Sequence, residues 1–214
     1  MTLFNILLIL HIIGGSCSLL LGLYILLTKK GNAIHKRIGK IYYYSMLSAA
    51  VLALLLSYLH PSFFLFIIGI FTAYMLITGK RYLNKKQQDA ISIIDWFITC
   101  IMLIFGLAFI SLGSYYIIKS SALGWVLIVF GGISLIFVYQ DYINFKGRSN
   151  IKNYWQTTHI QRMMGSYIAS ATAFLVVNNT YLPGLIAWLL PTALLVPLII
   201  RWSRVYGVKK AQIT

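Results

Sequence analysis

"LFNILLILHIIGGSCSLLLGLYILL", Leu3 to Leu27, runs for 25 residues without a lysine, arginine, aspartate or glutamate. A helix rises about 1.5 Å per residue, so about twenty such residues cross the roughly 30 Å hydrocarbon layer of a membrane. Backbone polar groups there must be satisfied inside the helix itself. The run has no basic start, is longer than the apolar core of a signal peptide, and is closed by Lys29 and Lys30, so it reads as a retained span.

Six further segments meet the same test: Ile41 to Leu59, Phe63 to Gly79, Ala90 to Leu112, Ser121 to Val138, Trp155 to Val177, and Leu182 to Ile200. Between them stand turn and charge signals such as "KKGN", "HPS", "NKKQQD", "FKGRSN" and "NNTYLPG". Composition agrees: 60% of residues are hydrophobic, 10% are charged, and mean hydropathy is +0.84, outside the range of soluble domains. The expectation is an all-α, polytopic membrane helical bundle of seven transmembrane helices, one domain over residues 1–214.

Basic residues set the expected orientation. Lys29, Lys30, Lys36, Arg37 and Lys40 follow the first span, and Lys80, Arg81, Lys85 and Lys86 follow the third. Lys146, Arg148 and Lys152 follow the fifth, and Arg201, Arg204, Lys209 and Lys210 close the chain. Sixteen of eighteen Lys and Arg thus fall on one side. By the positive-inside rule the N-terminus is outside and the C-terminus cytoplasmic. The net charge of +15 is then topology. It calls for the bilayer and anionic headgroups as partners rather than nucleic acid, at about 1 kcal/mol per basic residue near the surface.

Polar residues inside spans must be compensated or functional. The chain has no glutamate and three aspartates: Asp89 in a loop, Asp95 in the fourth span, and Asp141 with Gln140 at the inner end of the fifth. Helix rise puts Asp95 roughly 8 Å, Arg162 roughly 10 Å and His159 roughly 6 Å from the cytoplasmic edge. The three share a layer. An Asp95–Arg162 ion pair with His159 hydrogen-bonded nearby is one reading; a cytoplasm-facing cavity for a headgroup, protons or a cofactor is the other.

His11 stands roughly 12 Å from the outer edge, with Gly14 and Gly15 one turn on. Glycines admit a neighbouring helix that a histidine can hydrogen-bond; a histidine beside a glycine notch also suits a b-type haem, and no metal beyond that haem iron is expected. His11 and His159 differ in depth by roughly 12 Å, so each as a haem ligand needs another partner, and His60 and His35, both expected in loops, are the available ones. Cys17 and Cys100 lie in expected spans without CxxC spacing and read as small packing residues.

The block "HKRIGKIYYYSM", His35 to Met46, resembles the His-Arg/Lys-x-x-Gly-Arg/Lys-x-Tyr signature of the bacterial multi-pass membrane family called domain of unknown function 2306. The resemblance extends to "HIIGG", to "YMLITGKRYL" at Tyr74 to Leu83, to Asp95 and Trp96, and to "HIQRMMGSYIASATAFLVVN" at His159 to Asn178. It implies a helical protein of a bacterial cytoplasmic membrane and supplies no activity. As plain structure, the same block offers a Gly31–Asn32 turn, basic anchors, and an aromatic belt at Tyr42 to Tyr44.

Enzyme classes find little support. A seven-helix metal hydrolase needs several histidines at one depth, and no H-x-x-x-H pair exists. Ser166 has no carboxylate on its helix to support a histidine base, and no phosphate-cradling loop occurs; Gly131 and Gly132 read as helix packing. Three functions stay open. One is a redox or cofactor-binding protein with His11 and His159 as haem or quinone contacts. Another is a proton-coupled transporter or small-molecule-binding protein using Asp95, His159 and Arg162. The third is an accessory subunit whose charges lock helices.

Overall fold

A computed structural model of the chain describes residues 2–86 and 90–208, with the backbone alone at 185. Asp89, Lys209 and Lys210 lie outside the described residues. The protein is all-α. Its described residues form seven helices: α1 (Leu3–Leu27), α2 (Ala33–Leu59), α3 (Phe63–Tyr82), α4 (Ile93–Ile118), α5 (Leu123–Phe145), α6 (Tyr154–Val177) and α7 (Gly184–Tyr206). Six are long and apolar enough to cross a membrane; the exception is α6, which is interrupted by polar side chains.

Burial runs opposite to that of a water-soluble domain. Arg162, Asp141, Ser134 and Ser166 are each 0% exposed, while Ile93 and Leu27 are 84% and 80% exposed. Apolar surfaces outside and polar groups inside are what a hydrocarbon solvent selects. The chain is a membrane-embedded helical protein.

Two boundaries differ from expectation in ways that matter. The second helix starts at Ala33, not Ile41, so His35, Lys36, Arg37 and Lys40 stand in its first two turns rather than in a loop. The cause is local. Gly31 turns the chain at φ +84, and Asn32 then caps the helix by accepting the His35 N–H at 2.8 Å. The fifth helix continues past Val138 to Phe145, carrying Asp141 and Asn144 inside it. In α7, Pro191 and Pro197 are accommodated within the helix, as membrane helices tolerate.

The chain divides into two compact units, Met1–Ile77 with Gln161–Arg201 and Thr78–Ile160 with Trp202–Thr214. Helices α3, α6 and α7 each pass from one to the other. In the first unit α1 lies close on α2, since a Cβ on Gly14 would come within 3.1 Å of the Ser45 carbonyl and 3.2 Å of Ser48 Oγ. In the second, α4 and α5 run antiparallel along a glycine seam. Gly113 faces Gly124 and Gly106 faces Gly131, two turns apart on each helix; a Cβ on Gly113 or Gly131 would stand 2.9 Å from the opposing glycine's carbonyl oxygen. With no hydrophobic drive between helices in lipid, such close backbone approach is what joins them.

Candidate functional site

At one end of the second unit, the connection from α3 to α4 brings two cations onto one carboxylate. Ser92 precedes α4, and Asp95, its third residue, turns back as the acidic arm of a capping box. Its Oδ2 accepts the Ser92 N–H at 2.9 Å and the Ser92 hydroxyl at 3.0 Å. Its Oδ1 accepts from Arg81 Nε and from Lys85 Nζ, both at 2.6 Å. Arg81 also donates through Nη2 to Ser92 Oγ at 2.8 Å. The Lys85 and Asp95 side chains are each 3% exposed and that of Arg81 is 33% exposed. The arginine is therefore the part of the cluster open to its surroundings.

Lys85 is further held by aromatic faces, its Nζ lying 5.6 Å from the Tyr82 ring centroid and 6.0 Å from that of Phe145. Burial draws its amine below the ordinary lysine range. The hydrogen bond and charge of Asp95 oppose that, and Asp141 pulls the same way as Asp95. Lys85 thus senses both buried carboxylates.

Asp141, on α5, anchors a second network. Its Oδ1 accepts from the Tyr82 hydroxyl at 2.7 Å and its Oδ2 from Thr99 at 3.1 Å. Asn144, one turn further, donates to the Tyr82 hydroxyl and to Thr158 Oγ1, each at 3.2 Å. An amide nitrogen only donates, so the Tyr82 oxygen accepts from Asn144 and gives its single proton to Asp141. Next to Thr158 on α6, His159 Nδ1 lies 2.8 Å from the Gly79 carbonyl. Aromatic side chains enclose the network: Tyr82, Phe145 and Tyr154 form a buried cluster flanked by Trp96 and Trp155.

The structure brings Asp95, Asp141 and His159 into this unit, with Gln140 half-buried beside Asp141. Arg162 belongs to the other unit, where it is fully buried with its guanidinium 5.1 Å from the Tyr74 ring centroid. The expected Asp95–Arg162 ion pair is corrected: the partners of Asp95 are Arg81 and Lys85. Equal depth in two helices does not fix which way each side chain faces, and cations in the adjoining turn reach the carboxylate first. Arg81, Tyr82, Lys85, Thr99, Asn144 and Thr158 were not expected in the site. One signal pointed there, the Ser-x-x-Asp box at Ser92 to Asp95.

The other histidines lie in the first unit. His11 Nδ1 is 2.9 Å from the Ala49 carbonyl, and α2 fills the notch at Gly14; this is the helix-contact arrangement. Gly15 faces no atom within 4 Å. The His60 ring lies 4.1 Å from the Phe4 ring; the His35 backbone N–H donates to the Asn32 cap, while its ring Nδ1 is buried without a hydrogen-bond partner among the described residues. Nearby, the Tyr42 and Ser166 hydroxyls share a hydrogen bond of 2.8 Å, and Gly165 leaves room for Met75. Cys17 is half-buried and Cys100 exposed, both as free thiols. Among the described residues, no group of three His, Cys, Asp or Glu could hold a metal ion.

Fold and site together define a class, a membrane-embedded helical protein with a charged network buried at one end of its second unit. No protein-family model, curated protein or solved structure matches the chain.

Proposed function

We propose that the chain is a proton-coupled membrane protein, a transporter or small-molecule binder whose proton-exchanging group is Lys85. One observation carries this: a single oxygen of Asp95 serves both a titratable cation, Lys85, and a permanent one, Arg81. When the Lys85 ammonium releases its proton and becomes a neutral amine, Asp95 stays neutralised by Arg81 and hydrogen-bonded to Ser92. The proton can leave without stranding a buried charge. Two cations on one carboxylate keep Asp95 balanced in either protonation state of Lys85.

The same reading takes seven spans, an outside N-terminus, and a cytoplasmic C-terminus in a bacterial cytoplasmic membrane. It is supported by α6, whose polar Thr157, Thr158, Arg162 and Ser166 are all buried, so that its polarity is no bar to crossing. The family resemblance is supported by the meeting of its blocks in the first unit, where Tyr42 reaches Ser166 and Met75 packs at Gly165. Haem or quinone at His11 and His159 becomes the lesser reading, because α2 packs at Gly14 and the Nδ1 of each histidine lies within hydrogen-bond distance of a backbone carbonyl.

The test is proton flux. Protein reconstituted in vesicles holding a pH-sensitive dye, and driven by a potassium diffusion potential, acidifies or alkalinises the lumen faster than empty vesicles. Flux no greater than that of empty vesicles, over a panel of added small solutes, would overturn the proposal.

A further inference from the structure

The chain has few anions for its many cations. Among the described residues the acidic side chains are Asp95 and Asp141, and both are buried. Yet Lys86, Lys146, Arg148 and Lys152 are exposed in the second unit, in the connections at the end that carries the buried network. Asp95 is taken by Arg81 and Lys85, and among the described residues these four cations have no carboxylate partner.

Two of these cations are placed rather than loose. Lys86 Nζ stands 5.3 Å from the Trp155 ring and Lys146 Nζ 5.6 Å from the Trp96 ring. Trp96 also meets Phe145 at 5.2 Å and Tyr142 at 6.3 Å, both edge-on, so its indole is fixed by the aromatic cluster. Further along α4 and away from that end, Phe97, Ile101 and Ile104 are exposed apolar side chains. A half-buried indole under an ammonium, above an apolar face, has the order of a phospholipid: acyl chain, glycerol level, charged headgroup. A lysine held over an indole keeps its N–H donors for a phosphate oxygen.

We infer that the pairs Lys86–Trp155 and Lys146–Trp96 are two docking points for anionic phospholipid headgroups. They make this end of the second unit prefer phosphatidylglycerol-type lipid over zwitterionic lipid. The inference is independent of proton coupling, since it requires only an anionic leaflet at this end.

Tryptophan fluorescence in vesicles tests it, using brominated phosphatidylglycerol or brominated phosphatidylcholine as quencher in an unbrominated background of the other lipid. The wild type is expected to be quenched at several-fold lower mole fraction by the anionic lipid. Lys86→Gln with Lys146→Gln is expected to abolish that preference while leaving the melting temperature unchanged. Lys119→Gln, at the opposite end of α4 where Lys119 lies 6.0 Å from the Tyr115 ring, keeps it. Trp96→Phe with Trp155→Phe removes most of the lipid-selective signal. Equal quenching of the wild type by both lipids, a preference that survives the double lysine variant, or one erased by millimolar inorganic phosphate would each overturn the inference.

Discussion

The ammonium of Lys85 lies 2.6 Å from Oδ1 of Asp95, an oxygen that Arg81 Nε, from the last turn of α3, reaches at the same distance. The pair is nearly sealed from its surroundings, and only the arginine is substantially exposed. Two cations on one oxygen imply that the three residues are unequal in what their loss does.

Asp95→Asn leaves Lys85 buried beside a neutral amide and removes a cap from α4. Breaking a buried pair from one side costs about 3–5 kcal/mol. Lys85→Met leaves Asp95 with Arg81 and Ser92, so its effect should be clearly smaller. Denaturation in mild detergent should rank the two variants in that order; equal losses would mean that Arg81 does not sustain Asp95 alone.

The lowered proton affinity of Lys85 has a sign. A lysine whose folded value lies below its unfolded one binds its proton more weakly in the fold, so unfolding takes up a proton between the two values. Its contribution to stability therefore rises with pH across the alkaline window just below the ordinary lysine value. Unfolding free energies of wild type and Lys85→Met, measured at steps through that window, should diverge in favour of the wild type. A pH-independent difference would refute it.

The seam of α4 and α5 makes a prediction free of charge effects. Gly131→Val pushes a side chain onto the Gly106 carbonyl, and overpacking of this kind costs about 1–3 kcal/mol. Its neighbour Gly132 faces no atom within 4 Å, so Gly132→Ala should be neutral or stabilising by up to about 1 kcal/mol, as for alanine in a helix. Similar losses in both variants would show that the seam is misplaced.

His11 gives its Nδ1 to α2, so His11→Phe should lower stability by about 1 kcal/mol, the worth of one hydrogen bond. The loss should be the same for protein made with or without added haem precursor. A Soret band in the wild type that disappears in the variant would return the haem reading to first place.

Much of the fold was readable from the chain because a membrane asks one question of a helix, whether about twenty residues can do without water. Leu3–Leu27 answers it without ambiguity, and its bounds agree residue for residue. Helix ends outside the hydrocarbon are decided by caps instead, which is why the start of α2 just after Asn32 and the extension of α5 to Phe145 escaped a reading based on apolar runs. The site was half legible. Asp95, Asp141 and His159 stood out as polar groups in apolar surroundings, whereas Arg81 and Lys85 were hidden among basic residues that topology alone accounts for. Tyr82 and Asn144 gave no signal, since a tyrosine near a membrane surface and an asparagine near a helix end are both commonplace there. Depth along a helix can be counted from sequence; the direction a side chain faces around it comes from packing, and that misassigned the partner of Asp95.

The central claim is that Lys85 gives up and regains a proton while Arg81 holds Asp95, and Lys85→Arg tests it most directly. Arginine keeps the charge and can keep the ion pair, yet does not deprotonate in proteins. Dye-filled vesicles carrying this variant should show the flux of empty vesicles, while its melting temperature stays close to that of the wild type. Wild-type flux through Lys85→Arg would contradict the account and leave the cluster a structural lock.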